Sequence, residues 1–239
     1  MNPGRIVPSA SGRSAIVTGG SSGIGYAAVD LLVSKGYDVT IAARNRDRLD
    51  AAATRLAARG VPTDVTHDGE CESLVASHIR ACGRLDVLVH AAGVSAGGTV
   101  DDIEVAVWDD QQASLARSVF VLTRAALPSL RESGGLIVGI GSLSASGRVP
   151  GLSAYSAAKA TAANFLRTVY AENRKFGVRA TTINPGFVDT PLTRESTRSP
   201  MSFDEMIRPT DCALCLELLL NLGGNAHIAE IDLSNHGRS

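Results

Sequence analysis

Short apolar runs alternate along this chain with longer stretches of helical period. Residues 15–18 form the first run, and it ends in a turn rich in Gly and Ser. Residues 24–35 then repeat apolar positions at helical spacing. The same alternation continues through predicted strands at 39–43, 61–65, 87–91, 136–140, 178–183 and 228–233. Between them lie predicted helices at 46–59, 70–82, 105–130, 154–176 and 210–222. Apolar strands that alternate with amphipathic helices predict an α/β fold, a parallel sheet covered on both faces. No repeat or linker divides the chain, so one domain is expected over 1–239, with an irregular N-terminus at 1–13. The one long irregular stretch, 187–208, is rich in Pro, Ser, Thr and Arg. A segment that long in a compact domain is usually functional, and it is the expected substrate loop or lid.

Composition narrows the class. The chain has 239 residues, 44% of them hydrophobic and 20% charged, which is ordinary for a globular domain. A net charge of −1 gives no electrostatic case for nucleic acid or an anionic membrane as partner. No run of about 18 apolar residues predicts a membrane span. Residues 1–14 lack the apolar core of a signal peptide. The four cysteines form no dense framework. Cys212 and Cys215 make a C-x-x-C, but Leu214, Leu216, Leu218 and Leu219 around them read as a buried helix. Core thiols are favoured there over a redox pair. No further ligands cluster nearby, and His227 and His236 have no partners at ligand spacing, so no metal site is expected. A reduced, cytoplasmic, enzyme-sized domain is the expectation.

Two motifs carry chemistry. The first strand runs into Thr18-Gly19-Gly20-Ser21-Ser22-Gly23-Ile24-Gly25. Glycines between a first strand and a first helix let the backbone approach a pyrophosphate, and the helix N-terminus faces that anion with free N–H groups. The second predicted strand ends Ala43-Arg44-Asn45, with no acid to bond a ribose 2′-hydroxyl. Arg44 instead suits a 2′-phosphate, with Arg46 and Arg48 adding positive charge, so NADP(H) is favoured over NAD(H). The alternative is a solvated loop arginine.

The second motif is Tyr155-Ser156-Ala157-Ala158-Lys159, with Ser142 thirteen residues before the tyrosine. Tyr155 and Lys159 share a helical face one turn apart. A phenol ordinarily titrates near ~10. An ammonium ~5 Å away at an effective dielectric of ~20 favours the phenolate by ~3 kcal/mol, roughly two pKa units, and burial opposes this. The spacing suits a tyrosine that acts as general acid or base.

Together these features resemble the short-chain dehydrogenase/reductase family from Ser14 to Leu233. The glycine turn is similar to the family's T-G-x-x-x-G-x-G, and Asp64-Val65 to its adenine-contacting pair. His90-Ala91-Ala92-Gly93 stands where the family has N-N-A-G, and Asn184-Pro185-Gly186-Phe187-Val188-Asp189-Thr190 resembles its nicotinamide-contacting stretch. The resemblance implies a single Rossmann-type, doubly wound, mainly parallel seven-stranded sheet with helices on both faces. It implies cofactor contacts from Gly19, Ser21, Ser22, Gly23, Ile24, Gly25, Arg44, Asp64, Val65, Ala92, Gly93, Tyr155, Lys159, Pro185, Gly186, Val188 and Thr190. Ser142, Tyr155 and Lys159 take the catalytic positions: Tyr155 exchanges the proton with the substrate oxygen, Ser142 bonds that oxygen, and Lys159 holds the ribose. The implied reaction is NADPH-dependent reduction of a small carbonyl compound, or the reverse. An NAD-dependent alcohol dehydrogenase and a non-catalytic NADP-binding sensor are the alternatives. The family also implies a homodimer or homotetramer, and the small residues of the 154–163 stretch suit close helix contact.

Two positions depart from the family. Its relay asparagine lies about seven residues after a tryptophan, and the count from Trp108 reaches Leu115, with Ser114 adjacent. His90 replaces the first asparagine of N-N-A-G, and a structural role is expected for it over a titrating one. Ser144 either lines the substrate pocket or caps its loop. Arg194, Arg198 and Arg208 are expected as surface arginines rather than an anion clamp.

Overall fold

A computed structural model describes residues 12–195 and 201–236. Residues 1–11 of the expected irregular N-terminus, Arg198, and residues 237–239 lie outside these limits.

The alternating pattern folds into seven strands: β1 (Ser14–Thr18), β2 (Asp38–Ala43), β3 (Arg59–Pro62), β4 (Val87–His90), β5 (Leu136–Ile140), β6 (Arg179–Pro185) and β7 (Glu230–Leu233). They form one sheet in the order β3-β2-β1-β4-β5-β6-β7. Every pairing is parallel, so the sheet is wholly rather than mainly parallel. The helices are α1 (Gly23–Ser34), α2 (Arg46–Arg55), α3 (Asp68–Cys82), α4 (Val105–Gln112), α5 (Ser118–Ser133), α6 (Ser153–Asn173), α7 (Pro191–Arg194) and α8 (Pro209–Asn221).

The period-2 alternation of side chains along a strand divides the core in two. Ala15, Val17, Val87, Val89, Leu136 and Val138 face the layer of α1, α2 and α8, where Val29, Leu32, Leu49 and Leu216 meet them. Ile16, Leu88 and Ile137 face the other way, against Leu74, Leu122, Leu130 and Leu166 of α3, α5 and α6. The parallel sheet between the two layers holds every βα turn at one end. Ligands of open α/β sheets bind at that end, where the strand order reverses beside β1 and β4.

Several boundaries differ from those read in the sequence. Strand β3 lies earlier than expected, at Arg59–Pro62, and its ladder against β2 closes where the Thr63 N–H donates to the Ala43 carbonyl at 3.1 Å. Asp64 and Val65 therefore lie in the turn after the strand. Helix α2 stops at Arg55, and Ala57 leaves it with a φ of +51°, the one positive value among the described non-glycine residues. The helix expected over 105–130 is α4 and α5 joined by a π-helical turn, Ala113–Arg117.

Candidate active site

The turn after β1 needs glycine for two separate reasons. Gly19 has a φ of +68°, and a Cβ there would stand 2.6 Å from the Ala91 carbonyl oxygen. Gly25 packs so tightly on Gly19 that a Cβ would collide with the Gly19 carbonyl oxygen. The turn delivers the chain to α1, whose N-cap Ser22 makes no side-chain capping bond. The first N–H groups of α1 thus remain available to an anion.

Two adjoining cavities open along this end of the sheet. One, of about 190 Å³, is lined by Gly19, Ser22, Gly23, Ile24 and Gly25 together with Ser142, Tyr155, Lys159, Pro185, Gly186, Val188 and Thr190. The second, of about 250 Å³, is lined by Ser21, Arg44, Asp64 and Val65. Gly19, Ser22, Ala92 and Gly93 line both, so the two form one cleft. Every residue read from the sequence as catalytic or cofactor-binding lies on its wall. The second cavity also takes in Asn45, Arg48 and Thr63. Asn45 and Thr63 were not singled out in the sequence. Asn45 follows Arg44 and caps α2 by accepting the Arg48 N–H at 2.9 Å, so the capping pattern alone marks its position.

The wall near Arg44 is electrostatically mixed. Asp64 accepts hydrogen bonds from the N–H and hydroxyl of Thr66 at 3.0 and 2.7 Å. Burial raises its pKa, but the Thr66 bonds and the charge of Arg44 outweigh burial and hold it below the ordinary carboxylate value. Asp64 thus stays ionised at neutral pH.

At the other end, Ser142 leaves β5 in extended conformation, while Tyr155 and Lys159 project from the first turns of α6. Lys159 is buried and donates a 2.6 Å hydrogen bond to the Ile140 carbonyl oxygen at the end of β5. Its nitrogen lies 5.6 Å from the centre of the Tyr155 ring. Burial depresses the lysine pKa to about 8. Burial also raises the pKa of Tyr155, against an opposing hydrogen bond from Ser142. The expectation of a phenol depressed by its lysine is therefore corrected for the chain by itself. Desolvation is the larger effect, and the opposing influence comes from Ser142.

The π-helical turn decides the position of the missing asparagine. Leu115 points into the catalytic cavity and is 2% exposed. Ser114 faces the second cavity instead. Its hydroxyl donates to the Asp110 carbonyl at 2.8 Å, and its own carbonyl accepts from Ser118 at 2.6 Å. Ser114 thus does not replace the asparagine beside Lys159. His90 is buried off the main cleft, with Nε2 3.1 Å from the Thr123 hydroxyl and Nδ1 without a protein partner. Burial lowers its pKa to about 3, so it is neutral at physiological pH.

The described parts of the 187–208 stretch form a stem and a short helix rather than one loose loop. Val188 bridges Ile207, and α7 starts at Pro191 with Thr190 as its cap. Arg194 makes paired bonds to Asp189 at 2.5 and 2.8 Å and lies 4.9 Å from the centre of the Phe203 ring. Arg208 bonds Asp211 at 2.8 Å. Both arginines thus already have carboxylate partners within their own segment.

Residues 13–200 match the family model for short chain dehydrogenase. The chain is 33% identical over 223 residues to an uncharacterized oxidoreductase of Staphylococcus aureus (strain MRSA252), covering 92% of this chain and 95% of that protein. An alcohol dehydrogenase from the archaeon Thermococcus sibiricus, complexed with 5-hydroxy-NADP, has a similar structure. Its TM-score is 0.87 at 26% identity, over 95% of this chain and 98% of that one. A short chain dehydrogenase from Burkholderia cenocepacia J2315 in complex with NADP gives 0.86 at 27% identity, over 94% and 97%. The chain belongs to the short-chain dehydrogenase/reductase family of oxidoreductases.

Proposed function

We propose that this protein reduces a carbonyl of a small organic substrate to an alcohol with NADPH, or runs the reverse oxidation, with Tyr155 as the general acid or base. The observation that carries the reading is the single cleft with Ser142, Tyr155 and Lys159 at one end and Arg44 at the other. The free N–H groups of α1 lie between them, where a pyrophosphate needs them. The residues therefore fit NADP(H), which when bound supplies or accepts the hydride. The NADP complexes of the Thermococcus and Burkholderia proteins support the same choice of cofactor.

The chain's own groups take the remaining roles. Ser142 donates a hydrogen bond to the substrate oxygen and holds it beside the Tyr155 hydroxyl. The raised pKa of Tyr155 keeps its proton in place at neutral pH, which suits donation to a developing alkoxide. Lys159 holds the ribose and supplies positive charge. Leu115, Val94 and Leu192 give this part of the cleft an apolar wall. We also read the protein as a homo-oligomer. Support comes from Phe120 of α5, a large apolar side chain left 45% exposed.

The test is NADPH consumption against a panel of ketones, aldehydes and quinones. Tyr155→Phe is expected to lower turnover by roughly 10²- to 10⁴-fold. Turnover that survives this change overturns the assignment, and tight NADPH binding with no turnover on any substrate favours a sensor.

A further inference from the structure

Ser144 stands two residues beyond Ser142, in the short 3₁₀ turn Leu143–Ala145 that follows β5. Its side chain is 7% exposed, too buried for a solvated hydroxyl. The Ser144 hydroxyl lies 3.0 Å from Ser142 Oγ, and the Ser144 backbone N–H donates to the same oxygen at 3.2 Å. A serine hydroxyl has one proton and two acceptor lone pairs. The backbone donor occupies one lone pair of Ser142 whatever the rotor does. With the Ser144 hydroxyl donating as well, both lone pairs are filled, and the Ser142 proton has only the open cleft to point into. The Tyr155 hydroxyl and the substrate oxygen meet in that direction.

We infer that Ser144 is a positioning residue that fixes Ser142 as a hydrogen-bond donor toward the substrate oxygen and Tyr155. The inference rests on the proposed carbonyl chemistry. Without the Ser144 hydroxyl, Ser142 regains a free lone pair. Its proton is then no longer confined to the cleft, and the oxygen competes as an acceptor for the proton of Tyr155. A ground-state contact would lose affinity under such a change. An interaction that strengthens as charge develops on oxygen loses rate instead.

The geometry also separates this role from a purely structural one. Ser144 acts here only through Ser142, so its removal has an effect only while Ser142 is present. A hydroxyl that merely packs the turn has the same effect in either background.

The experiment compares Ser144→Ala, Ser144→Thr, Ser142→Ala and the double variant Ser142→Ala/Ser144→Ala, each checked for folding by thermal melt and for NADPH affinity. Ser144→Ala is expected to lower kcat roughly tenfold, the scale of one hydrogen bond, with KM and NADPH affinity within about twofold. Ser144→Thr restores most of the loss. In the Ser142→Ala background, Ser144→Ala changes nothing further. A readout independent of turnover is the ultraviolet titration of the Tyr155 phenol, isolated by difference from Tyr155→Phe. Loss of the directed donor moves that titration to higher pH in Ser144→Ala and leaves it unmoved when Ser142 is already alanine. Equal losses in both backgrounds, or a Ser144→Ala variant with wild-type kcat and phenol titration, overturn the inference. If Tyr155→Phe itself keeps full turnover, the carbonyl chemistry fails first. If Tyr155→Phe is inactive and Ser144→Ala is not, only the role of Ser144 fails. If no carbonyl compound turns over, the phenol titration alone decides.

Discussion

Lys159 Nζ donates its 2.6 Å hydrogen bond to the carbonyl oxygen of Ile140, two residues before Ser142. That bond ties the first turns of α6 to the end of β5, the two elements that carry the three candidate catalytic groups. It also brings an ammonium into a place with little water, where burial works against its charge. The same packing that sets the geometry thus lowers the lysine's affinity for its proton and raises that of the tyrosine beside it.

The first consequence concerns stability. Lys159 has a folded pKa of about 8 against an ordinary value of 10.5. Below pH ~8 the fold carries the full cost of the buried charge. Between about 8 and 10.5 the unfolded chain binds the extra proton, so this group makes stability rise with pH in that window. The cost at neutral pH is on the order of 3 kcal/mol, less about 1 for the Ile140 bond that any replacement gives up. Lys159→Met is therefore expected to be inactive yet more stable at pH 7 by about 1–2 kcal/mol in urea unfolding of the cofactor-free chain. Its stability should lack the rise above pH 8. A less stable variant would show that the charge is well solvated in the fold.

Cofactor choice rests on Arg44. It shares the second cavity with Arg48 and Thr63, and Arg44 and Asn45, the two positions directly after β2, offer no acid to bond a 2′-hydroxyl. Arg44→Ala is expected to weaken NADPH binding by about 10- to 100-fold, the scale of one charge-assisted pair, and NADH binding by no more than about threefold. Fluorescence titration with the two nucleotides measures both. Equal losses, or none, would remove the basis for preferring NADPH.

The parts of this arrangement that were readable in the sequence are the local ones. The glycine turn, the Tyr155–Lys159 spacing and the alternation of strands and helices each follow from a period or a short motif. The remainder depended on contacts between distant segments. The extra residue of the π-helical turn aims Leu115 into the catalytic cavity and directs Ser114 elsewhere, and no pattern in the 105–130 stretch signals it. Arg194 finds Asp189 five residues away in an irregular segment, outside any helical spacing. The pKa of the phenol went against expectation because a sequence gives the distance to a charge one turn away but not the depth of burial.

Acid should unfold the protein partly through two buried histidines. His90 is depressed to about 3 and His78 to about 4, both by burial first. His78 is held neutral between Thr40 and Ser14, at 2.8 and 3.0 Å. The unfolded chain protonates each near 6.5, so stability falls as pH drops below that value. It continues to fall down to the folded values, by about 1.4 kcal/mol per pH unit for each histidine. Urea unfolding from pH 7 to 4.5 should show this slope, and His90→Gln should reduce it by one proton. An unchanged slope in that variant would mean that His90 titrates freely within the fold.

The last prediction concerns the family asparagine that this chain lacks. Leu115 is almost fully buried, and its Cδ2 would lie 2.8 Å from a Cβ placed on Gly93. The leucine thus fills the space behind the glycine and also faces the cleft. Putting asparagine there removes apolar contacts and adds an amide with four hydrogen-bonding positions to a wall built around a methyl group. Ser114 offers no help, since its hydroxyl and carbonyl are already bonded within the turn. Leu115→Asn is therefore expected to cost about 2–4 kcal/mol in urea unfolding, as large-to-small core changes do, and to give no gain in kcat/KM. A variant that keeps its stability and turns over faster would show instead that the cavity beside Lys159 already holds enough water to satisfy the amide, and that proton supply through the lysine limits the rate.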